Sequence, residues 1–181
     1  MRRPGTRGVV PDPSTWLIEK LDKRHDRAAF SCGIDELNTY LHRFAGQNEK
    51  TGISQHFVAV ATVGDSKVLG YYALSAASVA FEVVPEELKK RLPRYPIPVA
   101  HLGRLAVDRS MQGQGLGEDL LIDAMTRITR AGKEIGIHAI EVVAINESAK
   151  RFYLKYGFAE LKDDQHHLYL PMSAVRKLNL R

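Results

Sequence analysis

The chain has 181 residues, of which 44% are hydrophobic and 26% are charged, and its formal net charge is +5. This composition is ordinary for one globular domain, and the positive charge favours an anionic partner without identifying it. A single cysteine, Cys32, excludes an internal disulfide and favours a cytoplasmic location, and no apolar run is long enough to span a membrane.

The first half of the chain predicts a strand, a helix and a hairpin. Residues 1–14 are rich in Pro, Gly and Arg, which predicts a disordered basic tail, so that residues 15–181 form the single domain. The segment TWLIEKL predicts the first strand, and two β-rich runs around Gly64-Asp65 predict a hairpin. Between them, four apolar residues at helical spacing predict a helix: Ile34, Leu37, Leu41 and Phe44.

The second half predicts an alternation of strands and helices. After a short proline-bounded helix in VPEELKKRLPRYPIP, the segment PVAHLGRLAVD predicts a central strand, and a long helix then runs from Leu116 to a stop at Gly136. The segment IHAIEVVAI predicts another strand, NESAKRFYLKY a helix capped by Asn146, and GFAEL and HHLYLPM the closing strands. The order predicts an α/β (α+β) fold, with a mixed central sheet of six to seven strands, a parallel central pair and helices on both faces.

The segment QGQGLG lies between the central strand and the long helix. Glycines here allow a close backbone approach, and the unpaired N–H groups of the helix N-terminus favour a phosphate or pyrophosphate. A nucleotide-triphosphate loop needs a Gly-Lys-Ser/Thr ending, which is missing, and the dinucleotide fingerprint fails because its sixth position is Glu118.

The same segment resembles the Gln/Arg-x-x-Gly-x-Gly/Ala loop of the GNAT acetyltransferases, and VVAINESAKRFYLKYGF resembles their second conserved segment. The closer resemblance is to the GNAT-type toxins of bacterial toxin–antitoxin pairs, the TacT-like group. It rests on FSCGIDELNTYL, HLGRLAVDRSMQGQGLGEDLL and AKRFYLKYGF, and it extends over nearly all of residues 15–172. The resemblance implies a GNAT fold and an enzyme that moves the acetyl group of acetyl-CoA to the α-amino group of aminoacyl-tRNA, which blocks translation.

The resemblance also implies the roles of individual residues. Tyr153 is expected to protonate the departing coenzyme A thiolate as the catalytic residue, and Asn146 to bond the pantetheine arm, to cap its helix, or both. In the family the central strand bulges so that its backbone N–H groups face the pantetheine. Acetyl-CoA would then be held by the following residues: Leu105, Ala106, Val107, Gln112, Gly113, Gly115, Leu116, Gly117 and Asn146.

The acceptor is predicted less directly than the donor. The stretch from Leu88 to Val107 has no acidic residue, and four of its basic residues are expected to contact the tRNA: Lys89, Lys90, Arg91 and Arg94. For Arg104, a tRNA contact and a structural ion pair are equally good interpretations. Two other functions stay open, an acetyltransferase for a protein amine or small amine, and a non-enzymatic CoA-binding corepressor.

The expected partners are aminoacyl-tRNA, a ribbon-helix-helix antitoxin, operator DNA through that antitoxin only, and a second copy of the chain in a homodimer. No carboxylate stands out as a general base, because Glu141 and Glu147 are both better interpreted as structural or exposed. His166 and His167 are adjacent on a strand and so point to opposite faces, and we expect no metal. Cys32 is interpreted as a buried structural thiol rather than a nucleophile.

Overall fold

Seven strands and six α-helices make up the fold in the computed structural model, which describes residues 16–178. The predicted tail, residues 1–14, lies outside the described residues. The elements in chain order are β1 (Leu17–Lys20), α1 (Asp35–Thr39), a π-helical turn (Tyr40–Phe44), α2 (Ala45–Thr51), β2 (Gln55–Val60), β3 (Gly70–Val79), α3 (Glu86–Lys89), β4 (Ile97–Val107), α4 (Leu116–Ala131), β5 (Ala139–Val143), α5 (Glu147–Lys155), β6 (Ala159–Glu160), β7 (His167–Pro171) and α6 (Met172–Val175).

The strands form one sheet in the order β1-β2-β3-β4-β5-β7-β6. Only β4 and β5 are parallel, and the other neighbouring pairs are antiparallel. The parallel ladder has three residue pairs and ends at His101 opposite Glu141, although β4 continues to Val107. The predicted mixed sheet with a parallel central pair is confirmed, and a gap opens between the carboxyl ends of these two strands.

Helices cover both faces of the sheet, as predicted. Along β2 and β3, Val58 and Tyr71 face a cluster that contains α1 and the π-helical turn, while Ala59 and Tyr72 face the cluster of α4. This separation follows from the alternation of side chains along a strand. The core of the α4 cluster consists mostly of aliphatic side chains with less than 3% exposure, including Leu116, Leu120, Leu121 and Ile128.

A β-bulge at Gly103 interrupts the pairing of β3 with β4. Ala73 is opposite Arg104, but the next residue, Leu74, is opposite Leu102, so Gly103 is left without a partner. A bulged residue changes which face the following side chains occupy. Leu102 and Leu105 therefore both pack in the α4 cluster, although they are three residues apart.

Two details of the predicted helices are wrong. The long helix ends at Ala131 with Gly132 as its C-cap, rather than at Gly136, and Ile135 is 60% exposed. Gly132 stops the helix because glycine has a low helix propensity. Phe44 is 51% exposed because the π-helical turn holds one extra residue per turn, which moves Phe44 off the buried side and brings in Ala45.

Candidate active site

The glycine loop adopts a conformation that requires glycine. Gly113 and Gly115 have φ values of 76° and 91°, in the left-handed region, and a Cβ atom would meet nothing within 4 Å at either position. The glycines are therefore needed for their backbone angles and not for packing. Gly115 is the N-cap of α4 and provides no side-chain cap, so the first N–H groups of this 16-residue helix are left for a ligand.

The side chains of Asp108 and Gln112 hold the loop in place through hydrogen bonds. The buried carboxylate of Asp108 accepts hydrogen bonds from Ser31 N (3.0 Å), Ser110 N (3.0 Å) and Ser110 Oγ (2.7 Å). The side-chain amide of Gln112 donates to Cys32 O (2.8 Å) and Val107 O (3.0 Å). The side chain of Gln112 thus ties the loop to the segment before α1, and its own backbone is left to face a ligand.

A cavity of about 430 Å³, here called the donor cavity, opens beside this loop. Its size is in the range of small-molecule sites. Residues from the segment before α1, from β4, from the loop and from α5 form its walls. Eight of the predicted site residues line it: Leu105, Ala106, Val107, Gln112, Gly113, Gly117, Asn146 and Tyr153.

A second cavity of about 430 Å³, here called the acceptor cavity, lies further along β4. Its walls carry four charged or titratable side chains, those of Glu36, His101, Arg104 and Tyr153. The two cavities share five lining residues: Leu37, Leu105, Ile145, Ala149 and Tyr153. They therefore meet at Tyr153, in the gap that the separation of β4 and β5 creates.

The backbone of β4 presents alternate N–H groups to this gap. Asp108 N donates to Leu69 O at 2.9 Å, and Ala106 lies opposite Tyr71 in the same register. Backbone groups of an antiparallel strand face a given neighbour at every second residue, so the N–H of Ala106 faces β3. The N–H groups of Leu105 and Val107 face the gap. This register favours the N–H groups of Leu105 and Val107 over that of Ala106 for the predicted contact with the pantetheine.

Tyr153 lies in α5 with 5% of its surface exposed, between the rings of Phe152 and Phe158. Burial raises the pKa of its phenol well above the ordinary value, so the hydroxyl stays protonated at neutral pH. Tyr156, three residues further along the same helix, lines neither cavity.

Asn146 is the N-cap of the helix that carries Tyr153. Its Oδ1 accepts a hydrogen bond from Ala149 N at 2.8 Å, which confirms the capping role. The residue also lines the donor cavity, so the pantetheine contact stays a prediction.

Several predicted residues lie outside the cavities. Gly115 and Leu116 line neither of them, and the Leu116 side chain is 1% exposed in the core, so only its backbone faces the loop. The four basic residues also line neither cavity; Lys89 bonds Glu86 at 2.8 Å. Within residues 16–178, no salt bridge is formed by Lys90, Arg91 or Arg94.

Arg104 lines the acceptor cavity but forms no ion pair within residues 16–178, and Cys32 lines the donor cavity but does not have the properties of a nucleophile. The guanidinium of Arg104 lies 3.9 Å from the centre of the Tyr40 ring, and it pairs with no carboxylate in the described part of the chain, so the ion-pair interpretation is wrong. Cys32 is 8% exposed, and burial raises the pKa of its thiol. This matches the interpretation of a structural thiol.

The predicted histidine and carboxylate residues separate into two pairs. His166 bonds the exposed Glu147 at 2.7 Å, whereas His167 bonds the buried Glu141 at 2.6 Å. No group of three or more His, Cys, Asp or Glu side chains in residues 16–178 is arranged to hold a metal ion. None of the helices in that range is long and apolar enough to cross a membrane.

Sequence reasoning missed the segment before α1 and the acceptor cavity. Ile34 and Leu37 were interpreted only as core, yet both line the donor cavity, and Glu36 and His101 line the acceptor cavity. Glu36 and Leu37 are far along the chain from His101, and no local pattern marks their proximity to it. A larger apolar cavity of about 550 Å³ lies at the end of α4, and among residues 16–178 its charged lining residues are Arg127 and Arg130.

Residues 21–177 match the family described as the acetyltransferase (GNAT) domain. Together with the pyrophosphate-type loop and the gap between β4 and β5, this match defines the class of protein: the chain belongs to the GNAT acetyltransferase family. It is 40% identical over 159 residues to a tRNA-acetylating toxin of Mycobacterium tuberculosis (strain ATCC 25618 / H37Rv), with 88% of this chain and 93% of that protein covered.

Three solved structures of toxins are similar to the chain. AtaT complexed with acetyl-methionyl-tRNAfMet has a TM-score of 0.84 and 33% identity, covering 90% of this chain and 98% of AtaT. A mutant AtaT toxin bound to the C-terminus of the antitoxin AtaR and acetyl-CoA has a TM-score of 0.78 and 30% identity, covering 91% and 98%. The KacTA–DNA complex has a TM-score of 0.75 and 32% identity, covering 90% and 97%.

Proposed function

We propose that this chain transfers the acetyl group of acetyl-CoA to the α-amino group of aminoacyl-tRNA and thereby blocks translation. The observation that carries the proposal is the meeting of two cavities at Tyr153, one beside the glycine loop and one beside Arg104 and His101. The likeness to a tRNA-acetylating toxin and to AtaT with acetyl-methionyl-tRNAfMet supports the choice of acceptor.

The donor cavity would hold acetyl-CoA by its backbone. The pyrophosphate would accept hydrogen bonds from the N–H groups of the glycine loop and the first turn of α4, from Gln112 to Gly117. The helix dipole adds a favourable potential for that negative charge. The thioester carbonyl would then accept from the β4 N–H groups that face the gap, those of Leu105 and Val107, and Asn146 would bond the pantetheine arm.

Acetyl transfer needs a donor for the thioester carbonyl, a neutral amine and a proton for the departing thiolate. The amine attacks the carbonyl carbon, the carbon–sulfur bond breaks, and Tyr153 would give its phenolic proton to the coenzyme A sulfur. Because burial raises the pKa of Tyr153, the proton is still on the hydroxyl when the thiolate forms.

The tRNA would approach from the side of the acceptor cavity. The exposed basic residues Lys90, Arg91 and Arg94 lie before the start of β4. His101 lies four residues after Ile97, the first residue of β4, and this separation is about 13 Å along a strand. Lys89 is the least available of the four predicted contacts, since it already pairs with Glu86. Phosphate contacts at this distance would position the tRNA without selecting its sequence.

The same likeness supports a set of partners. We infer a ribbon-helix-helix antitoxin, operator DNA bound through that antitoxin, a homodimer and a cytoplasmic location. The AtaT toxin with the C-terminus of AtaR and the KacTA–DNA complex support the first two. A short ribbon-helix-helix gene directly upstream is the expected genetic context.

The test uses radiolabelled acetyl-CoA with charged tRNA, uncharged tRNA, ribosomal proteins and small amines. We expect label in charged tRNA only, and a loss of about 10²-fold or more in kcat for Tyr153→Phe with acetyl-CoA affinity retained. Tyr156→Phe is the matched control on the same helix and should keep its activity. Label that enters another amine but never charged tRNA would replace the acceptor, and coenzyme A binding without any transfer would favour the corepressor.

A further inference from the structure

Four titratable side chains form a row that the proposed reaction does not use. Three of them lie on neighbouring strands, and the fourth, Asp163, lies in the loop before β7. His101 on β4 bonds Glu141 on β5 through its Nδ1. The other oxygen of Glu141 lies 2.6 Å from His167 Nε2 on β7, and His167 Nδ1 lies 2.9 Å from Asp163. The side chains of the row are 29%, 9%, 18% and 41% exposed, so it runs from the acceptor cavity through a buried carboxylate to the surface.

The row follows from the register of the sheet. His101 and Glu141 are opposite each other in the last pair of the parallel ladder, and His167 is opposite Val143, two residues beyond Glu141. Residues two apart on a strand share a face, so the three side chains lie on one face of the sheet and within reach of each other. His101 therefore stands where β4 and β5 begin to separate.

The carboxylate of Glu141 decides which tautomer the neutral His101 ring adopts. Burial alone raises the pKa of Glu141, but the hydrogen bond and charge of His101 and the contribution of His167 outweigh it and hold the pKa below its ordinary value. An ionised carboxylate only accepts hydrogen bonds, so the Nδ1 of His101 must carry the hydrogen. In the neutral ring Nε2 then has the free lone pair, as in a histidine that a buried carboxylate orients for base catalysis.

The bulge at Gly103 makes room for that nitrogen. A Cβ atom at Gly103 would lie 3.0 Å from His101 Nε2 and 3.1 Å from its Cδ2, and both residues line the acceptor cavity. Gly103 does not have a left-handed φ, so its lack of a side chain serves the His101 ring and not the backbone.

We propose that His101 is the general base of acetyl transfer and that Glu141 is the residue that positions it. The inference rests on the proposed function, in that an amine enters the acceptor cavity. An ammonium acceptor enters with three N–H bonds and the amide product keeps one. One of the two lost protons replaces the proton that Tyr153 gives to the coenzyme A sulfur, and the other passes to His101 Nε2 and then to solvent. One C–N bond forms, one C–S bond breaks, and nothing is oxidised or reduced.

The pH profile of kcat/KM provides the first test, measured with charged tRNA for His101→Ala and His101→Asn. Asn keeps a donor for Glu141 but has no basic nitrogen, so a fold defect in the alanine variant would be recognised. We expect both variants to lose about 10²-fold in kcat at neutral pH, to recover as the pH rises, and to bind acetyl-CoA unchanged. Added imidazole should partly rescue His101→Ala. The groups that face His101 are Glu36 on α1, Arg104 on β4, Glu141 on β5 and Tyr153 on α5, and all of them remain in both variants.

A double-mutant cycle provides the second test. Gly103→Ala should displace the ring and lower kcat, whereas in the His101→Ala background the same change should cost little more, because the added methyl no longer meets the ring. Glu141→Gln should lower kcat about 10-fold and shift the pH profile with little change in KM. The matched control is the exposed pair, with His166→Ala and Glu147→Gln, which should keep the activity and the pH profile.

The outcomes separate the base from the acceptor. If the wild type labels charged tRNA and both His101 variants keep its rate and pH profile, His101 is not the base, and the proposed function stands. If the wild type labels another amine instead, the acceptor proposal fails and the same variants are measured with that amine. If no amine is acetylated, both proposals are overturned.

Discussion

Replacing Asp108 by asparagine removes one charge from the support of the glycine loop. The carboxylate is 9% exposed and accepts three hydrogen bonds, one from Ser31 N and two from Ser110. Asparagine keeps one oxygen for Ser110 but turns an NH₂ group toward the N–H of Ser31. The loss of one hydrogen bond to a charged group is about 2 kcal/mol of unfolding free energy, which for a chain of this length lowers Tm by roughly 4–8 °C.

The stability difference should depend on pH in a defined direction. Burial alone raises the pKa of Asp108, but its hydrogen bonds from Ser31 and Ser110 outweigh this and hold the pKa below its ordinary value. A carboxyl group with a depressed folded-state pKa stabilises the fold above its unfolded pKa of about 3.9, and this stability is lost as the pH falls through the folded value. The difference between wild type and Asp108→Asn should therefore be full at pH 6 and should close below about pH 4.

Urea unfolding across this pH range and acetyl-CoA titration are the assays. Because Ser31 precedes Cys32, which lines the donor cavity, we also expect about fivefold weaker acetyl-CoA binding, equivalent to about 1 kcal/mol. The matched control is Asp65→Asn in the exposed hairpin turn, where the carboxylate accepts two hydrogen bonds from Thr62. A loss at Asp108 no larger than that at Asp65, or a difference that does not change with pH, would refute the reasoning.

Two further substitutions test other parts of the site. Asn146→Ala should lower the free energy of unfolding by about 1 kcal/mol because the N-cap is lost, and Asn146→Ser should restore that stability. If the serine variant also recovers the affinity for acetyl-CoA, the pantetheine contact is excluded. Neutralising Lys90, Arg91 and Arg94 together should weaken tRNA binding. It should also reduce the slope of the logarithm of the binding constant against the logarithm of salt concentration by about 2–3 in magnitude. As a control, neutralising Arg130 and Lys133 near the end of α4 should leave that slope unchanged. If the wild type, the triple variant and this control all have the same slope, a tRNA contact near α3 is contradicted.

The sequence predicts the elements well where one local rule decides them. Asn146 is a cap in the sequence and in the structure, and the glycine loop precedes α4 as expected. The prediction fails where a long-range or irregular feature competes. The π-helical turn at Tyr40–Phe44 breaks the 3.6-residue period that placed Phe44 in the core, and Gly132 ends α4 before Gly136.

The sequence motifs predict the glycine loop and the segment that carries Tyr153, but they do not predict which side chains contact one another across the sheet. The sequence indicates only a structural or exposed role for Glu141, whereas its contacts are with His101 and His167, which lie 40 and 26 positions away along the chain. Such contacts depend on strand register, which no local segment encodes. The bulge at Gly103 is of the same kind, because a single glycine in an apolar strand does not say which residue loses its partner.

The wall that the two cavities share has a consequence for the kinetic order of the reaction. The two cavities have largely different lining residues and meet at Tyr153, so neither substrate must leave before the other binds. Cys32, which lines the donor cavity, has a raised thiol pKa and is a poor candidate for carrying an acetyl group between half-reactions. The architecture therefore favours direct transfer within a ternary complex, with intersecting rather than parallel double-reciprocal plots.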